Sequence, residues 1–184
     1  MIVKVNNFKN KSLEKGLIIP PANDGDIGYD LVSASNPRVE GELYKANLYK
    51  SIKYIEYDTN IAIEPESDEY GDCKFYTLIY PRSSISNYSL SLCNSVGVID
   101  CGYRDTIKLR FNFIPQPENY FIIESKNGKQ KNLLLAIDQT KIYQKGDKIG
   151  QMVFASQLHP RISMDRNHTK SKRNKGGFGS TGLW

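Results

Sequence analysis

The apolar residues of this chain come in short runs, and that limits what it can fold into. Ile61-Ala62-Ile63, Phe75 to Tyr80 (FYTLIY), Ile107 to Phe113 (IKLRFNF), Tyr120 to Ile123 (YFII) and Ile149 to Phe154 (IGQMVF) are rich in β-branched and aromatic residues. Each is bounded by Gly, Pro, Asn or Asp. Runs of that length and composition between turn residues read as strands. Ile107, Leu109, Phe111 and Phe113 alternate with polar residues and would line one face. Tyr103 through Phe113 reads as one long strand entered from the turn Asp100-Cys101-Gly102. Few windows sustain a helical period, and Ser84 to Leu92 is too rich in Ser and Asn for more than a helical turn. The pattern predicts an all-β fold, a sandwich or barrel of short strands.

A length of 184 residues suits one domain with an arm. Residues 36–50 and 115–132 carry turn residues and mixed charge, and read as loops or as hairpins added to a core. From Asp165 the chain turns polar and glycine-rich (DRNHTKSKRNKGGFGSTGLW), from which no core can be built. The expected organisation is a β domain over 1–164 and a C-terminal arm over 165–184, ordered only when something binds it.

Several classes of protein fit poorly. The longest apolar run, Leu133 to Ile137, is too short to cross a bilayer, and MIVKVNNFKN has no signal-peptide core. An intracellular location is the expectation. Cys73, Cys93 and Cys101 are odd in number with no C-x-x-C spacing, so free thiols are expected. His159 and His168 are the only histidines, with nothing nearby to complete a tetrahedral metal site. A net charge of +5 suits polyanions such as phosphates, nucleic acid or acidic lipid, and chooses none of them.

Three segments carry chemistry. In Gly176-Gly177-Phe178-Gly179-Ser180-Thr181-Gly182, glycines let backbone N–H groups converge on an anion and the hydroxyls add donors. Arg173 and Lys175 add charge, and Phe178 can stack on a planar ring; the alternative is a plain linker. Pro81-Arg82-Ser83-Ser84 puts a guanidinium and two hydroxyls at the end of a strand, which suits phosphate oxygens or a serine-capped turn. In Asn94 to Arg104 (NSVGVIDCGYR), Asp100 lies between an apolar strand and a glycine turn, as a general base or as the cap of a β-hairpin. Asn94 offers both a donor and an acceptor, as a base edge requires.

The order of segments is more specific than any one of them. PANDGDIGYDL at 21–31 is followed by Pro81 to Ser84, by Asn94 to Arg104, by Gly146 to Met152 (GDKIGQM) and by Arg173 to Gly182. This resembles the ordered motifs of the homotrimeric dUTPase family, the deoxyuridine triphosphate nucleotidohydrolases, over most of the chain. The resemblance implies a jelly-roll-like β domain, three sites shared between subunits, and cleavage of dUTP to dUMP and pyrophosphate with Mg2+. Asp100 matches the aspartate that activates water for attack on the α-phosphorus. Tyr103 matches the tyrosine packed on deoxyribose, leaving no room for a 2′-hydroxyl. Asn94, with backbone around Gly97 and Ile99, would read uracil in a tight hairpin pocket that excludes the thymine methyl. Arg82, Ser83, Ser84 and Gln151 match phosphate contacts. Asp30 matches the aspartate that holds waters on magnesium. The arm would close as a lid, with Phe178 on uracil, Arg173, Ser180 and Thr181 at the phosphates, and Gly179 also among the substrate-binding residues.

The chain departs from that pattern in places. Asp105 stands where glycine is usual, Gly150 where alanine is usual, and Asn174 follows Arg173 where glycine is common. The stretches 36–50 and about 115–140 are longer than expected and read as surface insertions. Two other functions fit the same fold. A dCTP deaminase relative would need a carboxylate near the position of Arg104, and a non-catalytic binding module would need neither Asp100 nor Tyr103. No membrane or stable nucleic-acid partner is expected.

Overall fold

The structure is a computed structural model and describes residues 3–7, 17–65, 75–124, 131–156 and 163. In chain order the strands are β1 (Val3–Asn7), β2 (Ile18–Ile19), β3 (Tyr29–Val32), β4 (Arg38–Lys45), β5 (Leu48–Asp58), β6 (Ile61–Pro65), β7 (Phe75–Tyr80), β8 (Leu90–Leu92), β9 (Gly97–Ile99), β10 (Lys108–Phe113), β11 (Tyr120–Glu124), β12 (Lys131–Ala136) and β13 (Lys148–Ser156). Short 3₁₀ turns at Ser83–Asn87, Pro117–Asn119 and Gln139–Lys141 are the only helical pieces among the described residues. None of these is long and apolar enough to cross a membrane.

One sheet runs β11-β12-β5-β10-β8, with β4 also paired to β5, and a second runs β2-β3-β13-β7-β9. A separate ribbon joins β1 to β6. All pairings are antiparallel. Leu31, Ile79, Ile149 and Met152 of the second sheet pack with Ile55, Tyr57, Leu109 and Phe111 of the first in one buried cluster. Tyr57, Phe111 and Tyr143 meet edge to face in its middle, with ring centroids 5.5 to 6.1 Å apart. That geometry adds about 0.5–1.5 kcal/mol per pair to the area buried.

Every strand expected from the apolar runs is present. Within β10 the alternation holds, with Leu109 and Phe111 buried and Lys108, Arg110 and Asn112 exposed. The stretch from Tyr103 is not one long strand, however, because β10 starts only at Lys108. Residues 103–107 are held as a turn by their own side chains. Residues 36–50 belong to the β4–β5 hairpin, whose pairing shifts register three times between Glu40 and Lys45. The 115–132 stretch supplies a 3₁₀ turn, β11 and the start of β12, and Tyr120, Phe121, Ile122 and Leu133 of this hairpin are exposed.

The expectation of free thiols fails at Cys101, which is disulfide-bonded; Cys93 is free and exposed. An odd cysteine count without C-x-x-C spacing does not decide whether a particular thiol is oxidised. Cys73 lies outside the described residues.

Candidate active site

Of the sequence-predicted residues, Asn94, Gly97, Ile99 and Tyr103 line one pocket and Asp30, Arg82 and Gln151 line another. β8 and β9 are neighbours in the chain, but β8 pairs β10 in one sheet and β9 pairs β7 in the other. The turn Cys93–Val96 between them crosses the sandwich and leaves a gap between two sheet edges; the hairpin expected around Asp100 does not form, because β9 and β10 also lie in different sheets. A cavity of about 490 Å³ opens there, within the range of small-molecule sites. Asn94, Gly97, Ile99 and Tyr103 all line it. A Cβ on Gly97 would stand 3.2 Å from Ile79 Cβ and 3.4 Å from Asn94 Nδ2, so glycine keeps this wall thin. Asp100 follows Ile99 and is exposed but does not line the cavity, and its carbonyl accepts from Tyr103 N–H at 3.0 Å. The Tyr103 hydroxyl donates to the Thr106 carbonyl at 2.9 Å. Burial, reinforced by the Asp105 and Asp58 charges, raises the Tyr103 phenol pKa, so it stays a neutral donor near pH 7.

Three arginines in this region are already engaged. Arg110 donates to Glu56 at 2.7 Å and lies 4.4 Å from the centre of the Tyr54 ring. Arg38 holds the other oxygen of the same carboxylate, also at 2.7 Å. Arg104 donates to the carbonyls of Cys101 and Tyr103, bracing the turn that carries Asp100.

The second pocket, about 700 Å³, opens on the other sheet and is lined by Asp30, Arg82, Lys148, Gln151 and the 19–28 segment, among others. Its centre is a row across three strands, in which Gln151 of β13 lies opposite Asp30 of β3 and Tyr80 of β7. Arg82 follows β7 and returns Nε to Asp30 Oδ1 at 2.9 Å, while Lys148 Nζ takes Oδ2 at 2.8 Å. Lys148 and Gln151 are three residues apart and would face opposite ways in a regular strand. A register shift between Lys148 and Gly150 turns both toward Asp30. Burial pushes the Asp30 pKa up, but the hydrogen bonds and charges of Lys148 and Arg82 outweigh it and hold the carboxyl below its usual value. Ser83 and Ser84 open the 3₁₀ turn beside this group, with Ser84 Oγ 3.4 Å from Arg82 Nη1.

Lys148 is the residue that sequence reasoning did not single out. It lay inside the quoted GDKIGQM segment, but only the bulge brings it to the site. Gly150 follows the bulge under a crowded roof: a Cβ there would stand 2.7 Å from Leu109 Cδ2 and 3.2 Å from the Tyr80 carbonyl. Arg173, Phe178, Gly179, Ser180 and Thr181 lie outside the described residues. Among the described residues no group of three or more His, Cys, Asp or Glu side chains could cage a metal. Asp30 spends one contact on each oxygen, and a carboxylate has about four lone-pair sites, so it keeps acceptors for water on an ion brought by a ligand.

One β-sandwich thus carries a pocket with cationic side chains and a second, more apolar pocket. No family model matches the chain. It is 30% identical over 179 residues to the deoxyuridine 5′-triphosphate nucleotidohydrolase of Clostridium acetobutylicum, covering 96% of this chain and 97% of the relative. The chain belongs to the dUTPase family. Among solved structures it is similar to the dUTPase of Staphylococcus bacteriophage 80alpha with dUPNHPP, with a TM-score of 0.65, 21% identity and 99% of both chains covered. It is also similar to a mutant dUTPase from phage phi11 of S. aureus, whose structure describes a structural Mg(II) ion (TM-score 0.58, 21% identity, 91% and 98% covered). These likenesses show the jelly-roll-like fold.

Proposed function

We propose that the protein is a dUTP diphosphatase, hydrolysing dUTP to dUMP and pyrophosphate. The observation that carries the reading is the division of the site. The planar-ring residues Asn94, Gly97, Ile99 and Tyr103 line one pocket, and the anion residues Asp30, Arg82 and Gln151 line another. Neither pocket alone brings together the base-reading and the phosphate-binding residues. A neighbouring copy would bring the cationic pocket of one chain to the apolar pocket of the next, which supports a homotrimer with shared sites.

Within such a site Asp100 would take a proton from water as the water oxygen attacks the α-phosphorus. The bond from that phosphorus to the bridging oxygen breaks, and pyrophosphate leaves. Asn94 would read the uracil edge, and the backbone around Gly97 would exclude a 5-methyl group. Tyr103 would close the sugar side against a 2′-hydroxyl. Arg82, Ser83, Ser84 and Gln151 would hold phosphate oxygens, with Lys148 beside them. Asp30 would orient Arg82 and accept from the waters of Mg2+, which when bound offsets part of the triphosphate charge. Arg173, Phe178, Gly179, Ser180 and Thr181 would cover the bound nucleotide. A nucleoside triphosphate substrate supports an intracellular location.

The test is to incubate the pure protein with dUTP or dCTP and Mg2+ and to assay pyrophosphate and ammonia. Pyrophosphate from dUTP without ammonia is expected. Ammonia from dCTP would indicate a deaminase, and no product would indicate a binding module. Light scattering should give about 63 kDa, the mass of a trimer of 20.9 kDa chains. Monomer alone at micromolar concentration would refute the shared site.

A further inference from the structure

Position 105, where the resemblance expects glycine, holds an aspartate whose backbone is outside the left-handed region. Glycine's freedom is therefore not what this turn uses. Asp105 Oδ1 accepts from Thr106 N–H at 2.7 Å, and Oδ2 pairs with Lys108 Nζ at 3.2 Å. Thr106 is buried, and its Oγ1 donates to Asp58 Oδ2 at 3.0 Å. Lys108 also reaches that Asp58 oxygen, at 3.7 Å. The Thr106 carbonyl is the rest for the Tyr103 hydroxyl. Thr106 is thus fixed at its N–H by Asp105 and at its side chain by Asp58, and Tyr103 hangs from it. Asp105, Lys108 and Tyr103 all line the apolar pocket.

We infer that Asp105 is a positioning residue: by capping Thr106 it holds the carbonyl that sets the Tyr103 ring, and so sharpens selection against a ribose 2′-hydroxyl. This rests on the dUTP reading of the pocket. Of the two contacts, the cap does the positioning. The ion pair joins an Asp105 side chain 68% exposed to a Lys108 side chain 33% exposed, and such pairs contribute little. The cap satisfies a main-chain donor of a buried residue, which would otherwise go without an acceptor. Asparagine preserves that acceptor and loses the charge; alanine loses both. Any general effect of the Asp105 charge on a triphosphate acts alike on dUTP and UTP and cancels in their ratio.

The experiment measures kcat/KM for dUTP and for UTP in the full chain and in Asp105→Asn, Asp105→Ala, Tyr103→Phe and the double variant Asp105→Ala/Tyr103→Phe. The dUTP-over-UTP ratio should fall about fivefold in Asp105→Ala, the factor that goes with losing one capping hydrogen bond. Asp105→Asn should keep the ratio within about twofold, since its amide oxygen can still cap. Tyr103→Phe should lower the ratio like Asp105→Ala, and the double variant should add nothing. An unchanged ratio in Asp105→Ala, equal losses in Asn and Ala, or additive losses in the double variant would each overturn the inference. Hydrogen exchange of a peptide spanning 100–107, without nucleotide, separates this from failure of the dUTP reading. Exchange should quicken in Asp105→Ala and not in Asp105→Asn, whether or not dUTP is hydrolysed. Unchanged exchange in Asp105→Ala would show that Asp105 does not hold the turn.

Discussion

Asp30→Asn keeps the size of the side chain and removes the charge that gathers Arg82 and Lys148. The carboxylate is only 12% exposed and its Arg82 partner 28%, so that pair is shielded from water. A hydrogen bond to a charged group in such a setting is worth about 1.5–3 kcal/mol. Lys148 is 40% exposed, and its pair is discounted to about 0.5 kcal/mol for solvent screening. The variant should thus lose about 2–3 kcal/mol near pH 7, or roughly 5–10 °C in Tm for a domain of this size. The pH dependence identifies the cause. The carboxyl has a depressed pKa in the folded protein, so its stabilisation is complete above the unfolded value near 3.8 and is lost as pH falls through the folded value. Below that, wild-type Asp30 is protonated and resembles Asn. Urea melts of both proteins at one fixed concentration, at pH 7 and in steps down to about pH 2.5, should show the gap closing from the acid side. A gap that stays constant with pH, or one under about 0.5 kcal/mol at pH 7, would refute the assignment of Asp30 as the charged hub of this pocket.

Asp100→Asn should lower dUTP turnover at least about a hundredfold by removing the proton acceptor, with KM little changed. Its Tm should stay within about 1 °C because the side chain is exposed, and near-normal turnover would mean another group is the base. Gly97→Ala should weaken binding of dUMP, measured by calorimetry, since the added methyl pushes on Asn94 and Ile79; unchanged affinity would remove this wall from the base pocket. Deleting residues 171–184 should cut kcat/KM for dUTP at least about fivefold, as loss of base stacking alone costs about 1–3 kcal/mol. Full activity after the deletion would show that no lid is needed.

The strands were legible because a half-buried strand needs alternating residues and turns need particular ones; Lys108 to Phe113 states its inner face letter by letter. Which sheet a strand joins was not legible. Asn94 to Arg104 reads as a hairpin turning at Asp100, but β9 pairs β7 in one sheet while β10 pairs β5 and β8 in the other, so the chain crosses the sandwich there instead. The site residues were legible as types in order, since a phosphate calls for Arg and Ser and a base edge for Asn. Their division into two pockets was not, because it depends on sheet membership. Lys148 was hidden for a narrower reason. A bulge inverts the facing of everything beyond it, and no residue in GDKIGQM marks where the extra position falls. At Asp105 the departure from glycine was visible, but the donor it satisfies, Thr106 N–H, appears only with the backbone in place.

The crowding above Gly150 bears on how such a sequence can change. The Leu109 methyl that fills the space of a side chain at 150 comes from the opposite sheet. Positions 109 and 150 therefore constitute one volume shared by two codons. Alanine at 150 is compatible with a shorter residue at 109, and leucine at 109 with glycine at 150; a chain taking either step alone passes through an overfilled or an emptied core. Gly150→Ala should lower stability by itself, and Leu109→Val should restore part of the loss in the pair, although the two residues are distant in sequence. Grafting β13 from a relative that carries alanine there would then fail or succeed according to what that relative's β10 contributes, and a library that varies one strand at a time would miss the solution.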